Sequence, residues 1–139
     1  MKILTEMRET MLGNLVTSIL NNSIYDQWNQ YIRFRDASGN VLCNVQFTSL
    51  DAASDGETAA YIFKNGEGNV LRGSATDLAV GNNPVTSFSI NGITSTGLYP
   101  NMITGTVGFL RSSSDIQFNK VSWVEHTTIS LTNLRLILY

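Results

Sequence analysis

Between residues 4 and 20 the apolar side chains recur at intervals of three and four: Leu4, Met7, Met11, Leu12, Leu15, Val16, Ile19 and Leu20. That spacing lines one side of a 3.6-residue helix. Glu6, Arg8, Glu9, Thr10, Asn14, Thr17 and Ser18 fall on the opposite face. Thr5 reads as the N-cap and Asn21-Asn22 as the stop. The pattern predicts one amphipathic helix of about four turns, roughly residues 4–21. Near residue 24 the period falls from 3.6 to 2. Strands are expected near 30–36, 41–49, 58–65, 70–76, 84–91, 103–111, 115–125 and 127–138. Gly, Asn, Asp and Ser separate them every 8–12 residues or so, the rhythm of a sandwich or barrel and not of a parallel sheet. No second helical pattern is present to serve as a crossover. The expected fold is mainly β. It is an antiparallel, jelly-roll-like β-sandwich of about eight strands with one N-terminal amphipathic helix. The helix, within 1–24, packs on or docks beside a sandwich domain of 25–139. Pro84 falls at a strand start, where its missing N–H harms no ladder. Pro100, after Leu98-Tyr99, marks a turn.

The strands carry a repeat. Phe34-Arg35-Asp36-Ala37-Ser38-Gly39-Asn40-Val41-Leu42 matches Phe63-Lys64-Asn65-Gly66-Glu67-Gly68-Asn69-Val70-Leu71. Each reads aromatic, base, Asp or Asn, two residues, then Gly-Asn-Val-Leu. Asp36 or Asn65 can bond its own backbone to open a turn, and Gly39 or Gly68 takes the left-handed position. Both copies are expected to be β-hairpins with the same turn. Gly105 and Gly108 lie inside a strand and point to a bulge or a close backbone approach. Val41, Cys43, Val45 and Phe47 share one strand face, so Cys43 reads as a small buried hydrophobe. Val121 and Trp123 alternate onto a core face.

Composition narrows the function. The net charge is −2, with 9 Lys+Arg against 11 Asp+Glu, so no basic field exists to hold nucleic acid. Charged residues are only 14%, against about a quarter in ordinary domains. The polarity is carried instead by Ser, Thr and Asn, 14 of each. No apolar run is long enough to span a membrane. The N-terminus does not read as a signal peptide, because Glu6, Arg8 and Glu9 interrupt it and Asn14 splits the apolar stretch. One Cys cannot form an internal disulfide.

No residue set points to catalysis, a metal or a cofactor. His126 is the single histidine, which excludes a multi-histidine metal site. Glu125 and His126 are neighbours in a strand and face opposite sides; His126 reads as an exposed turn residue. A Gly-x-Ser-x-Gly elbow is absent. Asp51, Asp55 and Glu57 offer oxygen ligands for calcium, but their spacing is not that of an EF-hand and they read as a solvated acidic loop. Tyr25, Trp28 and Tyr31 form an aromatic cluster, read as a hydrophobic lid between helix and sandwich. Exposed, the same rings would stack on sugars, which leaves a carbohydrate-binding module of a receptor-binding apparatus as the alternative function.

The segment Tyr61-Ile62-Phe63-Lys64-Asn65-Gly66-Glu67-Gly68-Asn69-Val70-Leu71-Arg72-Gly73, set between an N-terminal amphipathic helix and Ser/Thr/Asn-rich strands, resembles small virion structural proteins of tailed bacteriophages. The specific match spans these 13 residues, and the layout match covers most of the chain. The family hairpin usually has Asp where Asn65 stands. The resemblance implies a non-enzymatic decoration, cement or connector-like subunit, assembled in the host cytoplasm and located in the virion. It would bind copies of itself, a trimer by analogy, and other capsid or tail proteins. The residues themselves place the contacts. From 134 to 139 both strand faces are largely apolar and need cover on both. The helix face is rich in Met, which adapts to irregular partners. Met7, Met11, Leu15, Leu136, Leu138 and Tyr139 are therefore the expected partner-binding residues.

Overall fold

A computed structural model describes residues 3–21, 30–76, 84–94, 97–123 and 126–138. The chain is mainly β with one N-terminal helix, α1 (Thr5–Asn21). Among the described residues ten strands follow: β1 (Tyr31–Asp36), β2 (Val41–Gln46), β3 (Ser49–Ala52), β4 (Ala59–Lys64), β5 (Val70–Ser74), β6 (Val85–Thr94), β7 (Gly97–Phe109), β8 (Ile116–Phe118), β9 (Thr128–Thr132) and β10 (Arg135–Leu138). One layer has the order β2-β1-β6-β7-β8. The pair β5-β9 continues it past β2 through a bridge between Cys43 and Ala75. The second layer has the order β10-β4-β3. The sheet curls on itself in the sandwich-like manner the period-2 pattern implies.

The expected strands stand, with four corrections. The stretch 41–49 divides: β2 stops at Gln46, and β3 starts in the other layer, paired with β4. The stretch 127–138 divides at Asn133, whose φ of 56° turns the chain from β9 in one layer to β10 in the other. Asn tolerates that left-handed conformation better than most residues. Among its described residues the stretch 115–125 keeps only β8, which runs parallel to β7. Pro100 lies inside β7 and not at a turn between strands; it sits where the β6–β7 register slips and Asn101 takes a φ of 59°. A bulge is one of the few places a sheet accepts proline.

The two copies of the repeat diverge. The first is the β1–β2 hairpin, with Gly39 left-handed at φ 87°. The Asp36 carboxylate accepts from the Ser38 and Asn40 N–H groups, both at 2.9 Å, and from Asn40 Nδ2 at 3.1 Å. The second has a tighter turn. Asn65 and Gly68 exchange backbone bonds of 2.9 and 3.2 Å, and Gly66, not Gly68, is left-handed at φ 62°. Its strands then part, β4 to one layer and β5 to the other. The same turn chemistry makes a hairpin once and a corner between layers once.

Burial by itself raises the Asp36 carboxyl. The bonds from the Asn40 backbone and side chain, then Ser38 and Gly39, outweigh it and hold the group below 3.8. The sign follows from linkage: a depressed folded-state value contributes stability above 3.8 that is lost as pH falls from there toward the lower folded value. Asp36→Ala is expected to be less stable than the native chain at pH 7, with the gap closing in acid melts below about pH 4. A gap that stays constant down to the acid limit would show that Asp36 is not the linked group.

The core runs through both layers. Phe34, Ile32, Leu42, Cys43, Val45, Phe47 and Leu71 are fully buried. Trp123 is buried, as its alternation implies, and donates from Nε1 to the Lys120 carbonyl at 2.8 Å. Cys43 is buried, and desolvation pushes its thiol up to about 12, so little of it is thiolate near neutral pH.

Candidate functional site

The helix has two apolar stripes. Leu12, Val16 and Ile19 are buried, and the last two belong to the core. Leu4, Met7 and Met11 form a second stripe, displaced by one residue and so about 100° round the helix. They are 71%, 55% and 48% exposed, with Ile3 beside them. Leu15, between the stripes, is half-buried. The helix packs on β6 of one layer and on β4 and β10 of the other, and these strands leave Leu4, Met7 and Met11 facing outward.

Two details of the helix differ from its sequence reading. The Leu4 carbonyl accepts from the N–H groups of Met7 and Arg8, both at 3.0 Å, so Leu4 is the N-cap and Thr5 the first helical residue. Arg8 does not lie on the solvent face. Its guanidinium donates to the Glu57 carbonyl at 2.9 Å, to Thr5 Oγ1 at 2.9 Å and to the Leu138 carbonyl at 3.4 Å. It ties the first helical turns to the β3–β4 loop and to the end of β10.

At β10, Leu136 and Leu138 are half-buried and Arg135 is exposed. Tyr139 lies outside the described residues, as do Tyr25 and Trp28 of the aromatic cluster; Tyr31 is half-buried. Beside β10 a cleft of about 310 Å³ opens between the layers. Ile32, Phe88, Ile90, Ile103 and Ile116 form its apolar wall, and Leu134, Arg135, Leu136 and Ile137 border it in succession. Sequence reading found the apolar strand but not the cleft, because nothing local places residues 103 and 116 opposite residue 136.

A further exposed apolar group lies at the end of β7. Phe109 and Leu110 are 60% and 58% exposed. The loop behind them is braced: Gln117 accepts from the Arg111 N–H at 3.0 Å and donates to the Ser112 carbonyl at 2.6 Å. Asp115 accepts from the Thr106 N–H and hydroxyl at 2.9 and 3.1 Å.

The groups weighed for chemistry are dispersed. Asp51 lies in β3 and pairs with Lys64 at 3.0 Å. Asp55 accepts from the N–H groups of Glu57 and Thr58, which holds its carboxyl below the usual range. His126 is exposed in a turn at φ 64°, and its N–H donates to the Ala75 carbonyl at 3.0 Å. Glu125 lies outside the described residues. Among the described residues no three His, Cys, Asp or Glu side chains gather as metal ligands. No described helix is long and apolar enough to cross a membrane.

Comparison with protein-family models, curated proteins and solved structures returned no match. The functional reading therefore rests on the surfaces above.

Proposed function

We propose that this chain is a non-enzymatic structural subunit of a tailed-phage virion, of the decoration, cement or connector-like kind. It assembles with copies of itself, as a trimer, and with other virion proteins. The observation that supports this reading is the outward stripe of Ile3, Leu4, Met7 and Met11. Four exposed large apolar side chains together, two on the helix and two on the residues that lead into it, are the mark of an association surface. Met7 and Met11 let it adapt to a partner's contour. Covering such side chains contributes roughly 1.5–3 kcal/mol each before ordering costs.

Deleting the helix is a poor test, because Val16 and Ile19 belong to the core and the remainder is expected to unfold. The double substitution Met7→Glu, Met11→Glu is cleaner. Glu matches Met in helix propensity, and both positions are exposed. In sedimentation the native chain is expected to run as a trimer and the variant as a monomer of unchanged circular dichroism. A native chain that stays monomeric at high concentration overturns the reading.

A further inference from the structure

Four consecutive residues, Leu134 to Ile137, border the cleft. Side chains of a strand alternate between its faces, so a cleft touching all four runs along the strand's edge. The edge is open, since β10 is the outer strand of its layer and has β4 as its only strand neighbour among the described residues. Its hydrogen-bond phase follows from one contact. Phe63 N–H donates to the Leu134 carbonyl at 2.9 Å, so residues 134 and 63 form a bonded pair. Bonded and non-bonded pairs alternate along an antiparallel ladder. Arg135 and Ile137, opposite Ile62 and Ala60, are therefore the non-bonded positions. Their N–H and C=O groups point away from β4, toward the cleft.

We propose that this cleft receives an extended segment of a partner protein as an added strand beside β10, with apolar side chains at alternate positions and a carboxylate at the Arg135 end. The main-chain groups of Arg135 and Ile137 supply the ladder. Alternate side chains of the incoming strand rest on Ile90, Ile103 and Ile116. Arg135 is exposed and makes no ion pair among the described residues; its charge reaches Asp55 only weakly, as the last contribution to that group's lowered value. Asp115, the acid at the far wall, is occupied by Thr106. Asp115 keeps its charge at the far wall, while at the β10 side Arg135, without a counter-ion among the described residues, selects an acidic residue at that end of the segment. A small apolar molecule would meet the wall but leave the four main-chain groups unmatched. This inference goes beyond the assembly reading by naming the form of the partner, and shares with it only the premise that the chain docks on proteins.

The test uses the full chain and a capped six-residue peptide, Glu-Val-Thr-Val-Thr-Val, in calorimetric titration. Saturable binding is expected. Ile137→Pro removes the outward N–H, a change an edge strand tolerates, together with the Ile side chain, for which Ile137→Ala is the control; the proline variant is expected to bind about tenfold more weakly than the alanine variant, with unchanged circular dichroism. Should the proline variant misfold, the native chain is titrated with the peptide N-methylated along its pairing edge, which is expected to bind about tenfold more weakly. Arg135→Gln is expected to remove the salt dependence of binding. Absence of peptide binding overturns the inference, as does equal affinity of Ile137→Ala and folded Ile137→Pro, or of plain and methylated peptide. Binding of dodecanoate in place of the peptide overturns it in favour of a small-molecule pocket. Sedimentation of the Met7, Met11 variant is read without peptide, so failure of the strand site and failure of the subunit reading are separate results.

Discussion

Phe34→Ala is expected to lower the thermal midpoint by about 10–20 °C. Phe34 has no exposed surface and sits on β1, an inner strand of the larger layer. Its ring meets Phe118 edge-on at 5.6 Å and Trp123 at 5.8 Å, and those two meet each other at 5.3 Å. Removing one corner of this triangle leaves a cavity whose walls are themselves weakly held. Phe118 lies on a strand of three residues that, among the described residues, pairs only with β7. Truncating a buried Phe costs about 3–5 kcal/mol, against a total of roughly 5–15 for a domain. Phe34→Leu keeps most of the volume and is expected to cost less than half as much. Calorimetric melts of the three chains check the order. A loss below about 1 kcal/mol for the alanine variant would mean that the triangle is not a stability centre.

Gly73→Ala is expected to be nearly as damaging, for the opposite reason. A Cβ at Gly73 would lie 2.3 Å from the Asn44 carbonyl oxygen and 3.0 Å from both Cys43 Sγ and Val45 Cγ2. The first of these is backbone, held in β2 by its pairing with β1. Room for a methyl group comes only by separating β5 from β2, the junction through which the β5-β9 pair joins the larger layer. Overpacking of this kind costs roughly 3 kcal/mol. Gly56→Ala is the control, since a Cβ there meets nothing within 4 Å and it is expected to lie within about 0.5 kcal/mol of the native chain. Urea titrations of both variants give the comparison directly. Equal midpoints would refute the close approach.

Much of the fold is legible in the sequence because one-dimensional period reports burial. The helix, the switch to period 2, the burial of Cys43 and Trp123 and the turn at His126 all follow from local pattern. What local pattern does not carry is layer membership. Alternation runs on through Phe47 and Asn133, and the turn ending at Asn69 reads as a hairpin, yet near each of these the chain passes from one layer to the other. Asn133 N–H bonds the Asn69 carbonyl at 3.0 Å, so two of these corners brace each other across the fold. Arg8 shows the same limit. Its spacing places it among polar residues, and its partners are carbonyls at positions 57 and 138. Of the expected contact residues, Met7 and Met11 are exposed as required, while Leu15, Leu136 and Leu138 are only half so. The cleft was not legible at all, since it exists only once β10 and β8 lie across from each other.

The crossing at Asn133 also bears on how the chain reaches this structure. β9 completes a ladder with β5, pairing Val70 with Thr132, and β10 completes one with β4, pairing Ala59 with Leu138. Both ladders join residues some 50 to 80 positions apart along the chain. Neither layer holds all its strands until residues 128–138 have left the ribosome. Until then β4 and β5 each present an open edge, and α1, made first, has no β10 to meet. Such long loop closures place folding in the millisecond-to-second range typical of non-local β proteins. A nascent chain stalled before residue 128 would be the form most exposed to wrong pairing, and the form a chaperone would hold.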